Sequence, residues 1–175
     1  QEIPNNLLQN QKANDQWYLR YCDIPSGMKL LDQPGGSPDV IVAVIDTGLD
    51  TDPQSFSAEA LTYALEQTGK DVDLLDVGEI NEVLRQLNVT ERIGYDDASS
   101  YYLSEKLPFA ANYVDGNLTV DHKSDGQGEH GSHVAGIATA NAYIPTDDGF
   151  APALESAMVQ GVAPDAQLIT MKVFG

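Results

Sequence analysis

The chain has 175 residues, enough for one domain with its own core. Hydrophobic residues make up 42% and charged residues 21%, as in ordinary soluble globular proteins. Twenty-seven acidic against nine basic residues give a formal charge of −18, which excludes nucleic acid and anionic membrane surfaces as partners, since both need clustered Lys and Arg.

No apolar run is long enough to cross a bilayer. Gln1-Glu2-Ile3-Pro4 has neither a basic start nor an apolar stretch, so no signal peptide is expected. Without an initiating methionine, the chain is expected to be either processed or part of a longer protein. Cys22 is the only cysteine, which rules out an internal disulfide and a cysteine zinc cluster. It is expected to be a small buried apolar residue and not a nucleophile.

Residues 1–15 are polar and are expected to form an extended arm, with apolar material beginning at Trp17, Tyr18 and Leu19. Pro25 to Leu31 reads as a short helix capped by Asp23 or Ser26. A Pro/Gly turn follows at 33–38. Val40 to Ile45 is an unbroken, mostly β-branched run, predicted to be a strand buried on both faces, and it stops at Asp46-Thr47-Gly48. The carboxyl ends of such strands are where α/β proteins place ligands and catalytic groups.

Residues 57–105 read as an acidic surface insertion with helices over Ala58–Gln67 (Leu61, Leu65) and Val77–Leu87 (Ile80, Val83, Leu84, Leu87). Its helices are expected to cover the sheet or shape the cleft rim. Leu107 to Val114 reads as a strand, 115–129 as a polar loop, and His130 to Ala142 as a helix whose small residues permit close packing. A loop with one helical turn over 142–160 leads to a last buried strand, Ala166 to Phe174, which would have an apolar edge liable to aggregate. Strand, helix and strand in this order predict an α/β fold with a mostly parallel sheet flanked by helices.

Two motifs carry chemistry. A carboxylate at a strand end, Asp46, can fix an imidazole through its Nδ1–H and stabilise the imidazolium formed when that ring takes a proton. His130 opens the block His130-Gly131-Ser132-His133-Val134-Ala135-Gly136, where the positive helix end favours the neutral base. Gly131 and Gly136 would let that helix approach the sheet. Two other readings stand beside this one. Asp46 could only cap a turn. His130 and His133 could form a zinc pair completed by Glu129, Asp125 and Asp121, although the glutamate precedes the first histidine where zinc-protease helices place it between the two. His133 is otherwise expected to be a hydrogen-bonded structural residue and His122 an exposed loop residue. The triplets at Asn88 and Asn117 are taken as ordinary loop residues.

The blocks VIVAVIDTGLD, HGSHVAGIA and GVAPDAQLITMKVFG, in this order, resemble the subtilase family of serine proteases. The long segment between the first two, with SEKLPFAANYVDGN, is similar to cell-envelope proteinases of the lactocepin and C5a-peptidase type. The resemblance covers about residues 14–50 and 105–175 and implies a subtilisin-like fold, incomplete in this chain, extracellular or wall-associated in a bacterium, acting on protein or peptide substrates. It implies Asp46 as catalytic aspartate, His130 as general base and Phe174 as a substrate-cleft residue. Ser132 stands where the family usually has Thr. The family's nucleophilic serine and oxyanion asparagine have no counterpart in 1–175, so the chain is expected to be the N-terminal part of the catalytic domain, to need the remainder as partner, and to be inactive alone. Calcium is common in the family, but no clear ligand set is present; Asp147 and Asp148 are the nearest candidate oxygens. No cofactor or metal is required for the chemistry. A different class of function is a non-catalytic subtilase-like module that binds peptides or a partner chain.

Overall fold

The computed structural model describes residues 20–30, 35–51, 54–70, 72–86, 89–94, 97–123, 126, 128–155 and 159–175. The expected N-terminal arm, Trp17 to Leu19, Leu31, most of the 33–38 turn's start, Leu87, Asn88 and Asp125 lie outside them.

Helix α1 spans Ile24–Leu30, one residue earlier than predicted. Cys22 just before it is exposed, as are Tyr21 and Leu30, so the expected burial of Cys22 is corrected: this residue lies on the surface.

Three strands form one parallel sheet: β1 (Ile41–Asp46), β2 (Phe109–Asn112) and, between them, β5 (Gln167–Lys172). The register pairs Val44 with Thr170 and Asp46 with Lys172, and pairs Ala110 with Thr170 and Asn112 with Lys172. The predicted parallel α/β architecture is therefore present, although β2 is half the expected length. The two-sided burial expected of β1 is not. Val42 and Val44 pack with Leu168, Ala135 and Leu107 on one face, while Ile41, Ala43 and Ile45 point to the other and are exposed, Ile45 at 57%. The register partners of Ala43 and Ile45, Ile169 and Met171 in β5, are instead packed under elements of another segment.

Those elements come from the segment predicted as an insertion. Helix α2 (Ala58–Thr68) buries Ala60, Leu61, Ala64 and Leu65; Ser57 caps its start by accepting from the Ala60 amide, and Gly69 ends it with a left-handed φ of 62°. Helix α3 (Val77–Gln86) starts at a reciprocal cap, in which Asp76 accepts from the Glu79 amide and Glu79 from the Asp76 amide. It buries Ile80 and Leu84 but exposes Val83. With the short helix α4 (Val89–Ile93), α3 packs Ile80, Leu84 and Ile93 around Tyr101 and Phe109, whose rings stack 5.2 Å apart, and against Ile169 and Met171 of β5. The segment thus covers the β2–β5 half of the sheet.

Helix α5 (His130–Thr139) lies on the opposite face. Its last carbonyls are satisfied by the next turn of chain: the amides of Gly161, Val162 and Ala163 donate to Ala140, Ile137 and Ala138. A Cβ at Gly161 would stand 2.5 Å from the Thr139 and Ala140 amides, so only glycine allows this seat. Residues 142–160, predicted as a loop with one helical turn, instead hold an antiparallel hairpin, β3 (Tyr143–Thr146) and β4 (Gly149–Pro152), turning at Asp147-Asp148. Its Tyr143 and Phe150 pack on Tyr63 of α2.

At the amino end of the sheet, Lys106 is fully buried and donates to Pro164 O and Ala166 O, both at 2.7 Å. Asp165 between those acceptors is bridged to Lys70 at 2.6 Å. Burial pulls the Lys106 ammonium down to about 7, against the opposing pull of Asp165.

Candidate active site

Asp46 is the last residue of β1 and His130 the first of α5. The two are brought together because α5 sits directly on the Asp46-Thr47-Gly48 turn. Gly131 makes this possible: a Cβ there would lie 2.1 Å from Gly48 O and 3.2 Å from the Asp46 Cβ. Gly136, expected to share this role, faces open space.

His130 Nδ1 lies 2.7 Å from Asp46 Oδ1. An ionised carboxylate only accepts, so Nδ1 carries the proton and Nε2 is left as the basic nitrogen. The His130 ring is 68% exposed against 17% for Asp46, so Nε2 faces the outside of the sheet's carboxyl end while the acid is shielded. Burial pushes the Asp46 carboxyl up, but the hydrogen bond from His130, the Thr47 amide at 2.7 Å and the charge of His130 outweigh it and hold the group below its ordinary value. This is a carboxylate–imidazole pair able to accept a proton from a nucleophile.

Two hydroxyls lock the pair in place. Thr47 Oγ1 accepts from the Gly131 amide at 3.0 Å and donates to Gly128 O at 3.3 Å. Ser132 Oγ accepts from the Asp50 amide at 2.8 Å. Thr47 was legible only as part of a turn; its role follows from a contact 84 residues away.

Phe174 follows β5, and its amide reaches Asp46 O at 3.4 Å. Its side chain is largely exposed. His133 is more exposed than expected of a structural residue, at 74%, with Nε2 3.9 Å from Glu129; a first-turn position on the outer face of α5 leaves it in solvent. His122, expected to be exposed, is mostly buried, with Nε2 3.3 Å from Glu129. Among the described residues no three His, Cys, Asp or Glu side chains are arranged to hold a metal ion. Asp147 and Asp148, the nearest candidate calcium oxygens, are exposed at the hairpin tip.

A parallel sheet carrying an acid at a strand end, met by a histidine opening a glycine-rich helix, defines a subtilisin-like α/β domain. The model of the subtilase family matches residues 37–175, and the chain belongs to that family. It is 36% identical over 137 residues to a PII-type proteinase of Lacticaseibacillus paracasei, which covers 77% of this chain and 6% of that protein. It is 35% identical, over the same share of each, to a PII-type proteinase of Lactococcus lactis subsp. cremoris. A C5a peptidase of Streptococcus pyogenes serotype M6 is 27% identical over 157 residues, 89% of this chain and 11% of that protein. The chain therefore spans a small fraction of the length of the curated relatives it matches. No helix among the described residues is long and apolar enough to cross a membrane.

Proposed function

We propose that this chain is the acid–base part of a serine-type endopeptidase. Asp46 orients His130, and His130 takes the proton of a serine hydroxyl as that oxygen attacks the scissile carbonyl, then gives it to the leaving amine. The observation that carries this reading is the 2.7 Å bond between Asp46 and the Nδ1 of an otherwise open imidazole. Among the described residues no serine is hydrogen-bonded to His130, so the nucleophile is assigned to the remainder of the catalytic domain, and residues 1–175 alone are expected to be inert. Phe174, exposed and with its amide bonded to Asp46 O, is assigned to the wall of the peptide cleft. Segment 57–105 is an addition to the subtilase frame that stiffens the β2–β5 side. The resemblance to cell-envelope proteinases supports protein substrates and a place outside a bacterial cell or on its wall. The chemistry requires no metal or cofactor.

The test is labelling with a serine-directed fluorophosphonate. The complete protein should label, His130→Ala should abolish labelling at the normal rate, and residues 1–175 alone should stay unlabelled. A complete protein that folds and binds peptide without labelling would establish the non-catalytic module instead.

A further inference from the structure

β5 is the central strand, and its Lys172 stands in register with Asp46 on one side and Asn112 on the other, so the three share one row at the carboxyl end of the sheet. Lys172 is 2% exposed, and its Nζ donates to Asp121 O at 2.7 Å. Asn112 is equally buried. Its Oδ1 accepts from the amides of Val114 and Asp115, each at 3.0 Å, while its Nδ2 donates to Thr119 O at 2.7 Å and Asp115 Oδ2 at 2.9 Å. These two side chains grip the near and far parts of segment 113–121. Between them, Val120 O accepts from the Leu49 amide at 2.9 Å, and it lies so near Gly48 that a Cβ there would be 2.0 Å away. The segment is thus pressed across the turn that carries Asp46. It continues through His122, beside Glu129, and through Gly128, bonded to Thr47, into the first residue of α5.

We propose that Lys172, with Asn112 beside it, is a positioning residue for the Asp46–His130 pair, holding segment 113–121 over the Asp46–Leu49 turn so that the acid and the base arrive at bonding distance. This rests on the peptidase reading given above. A buried ammonium is costly, and a methionine would fill the same space without that cost. The ammonium supplies a bond to Asp121 O that an apolar stem cannot make.

Lys172→Met in the complete proteinase keeps the stem and removes the donor. With rates referred to titrated active sites, a merely structural defect lowers the amount of working enzyme and leaves kcat alone. The expected result is a fall in kcat of about 100-fold, the scale for a catalytic group misplaced by roughly 1 Å, with KM unchanged. Amide-exchange protection should fall at Leu49, whose amide bonds Val120, and persist at Leu168, whose amide bonds Lys106. Unchanged kcat per active site, or a loss carried wholly by KM, overturns the proposal. If Lys172→Met does not fold, Asn112→Ser releases Thr119 while leaving Lys172 in place; the same kcat loss is expected, and unchanged kcat equally overturns it. The unmodified enzyme is labelled with fluorophosphonate alongside. An unlabelled parent removes the peptidase reading, whereas a labelled parent with an undiminished variant removes only the role of Lys172.

Discussion

Replacing Gly131 by alanine should separate the histidine from its acid while leaving both side chains in the protein. The added Cβ would stand 2.1 Å from Gly48 O and 3.1 Å from the Gly48 amide nitrogen, and both are backbone atoms that cannot rotate away. Real Cβ contacts are essentially never below 3.0 Å, so the start of α5 must withdraw by about 0.9 Å. The bond from His130 to Asp46 is 2.7 Å and adjoins that contact, so a withdrawal of this size takes it beyond hydrogen-bonding range. Overpacking of this kind costs about 1–3 kcal/mol of stability. A displacement of about 1 Å at a catalytic group costs about 100-fold in rate. The assay is kcat of the complete proteinase per titrated site, with thermal unfolding measured in parallel. Gly136→Ala is the internal control, because its Cβ would meet nothing within 4 Å and alanine is the better helix former by about 1 kcal/mol. It should raise Tm slightly and leave kcat alone. If Gly131→Ala keeps kcat within about twofold of the parent, the close seat of α5 on the Asp46 turn is not what pairs acid and base.

Three further outcomes can be checked. Thr47→Val leaves the buried Gly131 amide without its acceptor and should cost about 1–3 kcal/mol in urea unfolding, with Thr47→Ser recovering most of it. Lys106 titrates near 7 in the folded chain and near its ordinary 10.5 when unfolded, so between those values the unfolded chain holds the extra proton and stability should rise with pH; below about 7 both states are protonated and this slope vanishes. Urea midpoints between pH 6 and 10 should show that rise, and Lys106→Met should flatten it. Tyr101→Ala removes a fully buried ring from the cluster joining α3 to the sheet and should destabilise by about 3–5 kcal/mol, read as a lowered Tm.

What could be read from the sequence followed from local regularities. The β-branched run ending at Asp46 and the small-residue helix opening at His130 both form nearly where their periodicity puts them, and the pairing of the two residues rests on Gly131, a position legible as glycine in a helix. The β3–β4 hairpin was missed because Pro145 argues against a strand and Asp147-Asp148 reads as loop. The sequence Asp148-Gly149 was the available hairpin signal. Burial of β1 was overestimated because an apolar run reports what a strand can bury, not which neighbours cover it. Cys22 shows the same limit at one residue. Lys172 was invisible because a lysine inside an apolar strand carries no mark of what its ammonium reaches, here a backbone oxygen 51 residues away, and Asn112 because its partners lie in the loop that follows it, whose path its residue types do not reveal.

The pairing of Asp46 with His130 as one catalytic unit is tested most directly by a double-mutant cycle. In the complete proteinase, kcat/KM is measured for Asp46→Ala, His130→Ala and the two combined. Groups that act as a unit are strongly non-additive, so the double variant should lose no more than about tenfold beyond the more damaged single one. Losses that simply multiply would mean that acid and base work independently, and would contradict the role assigned to their 2.7 Å bond.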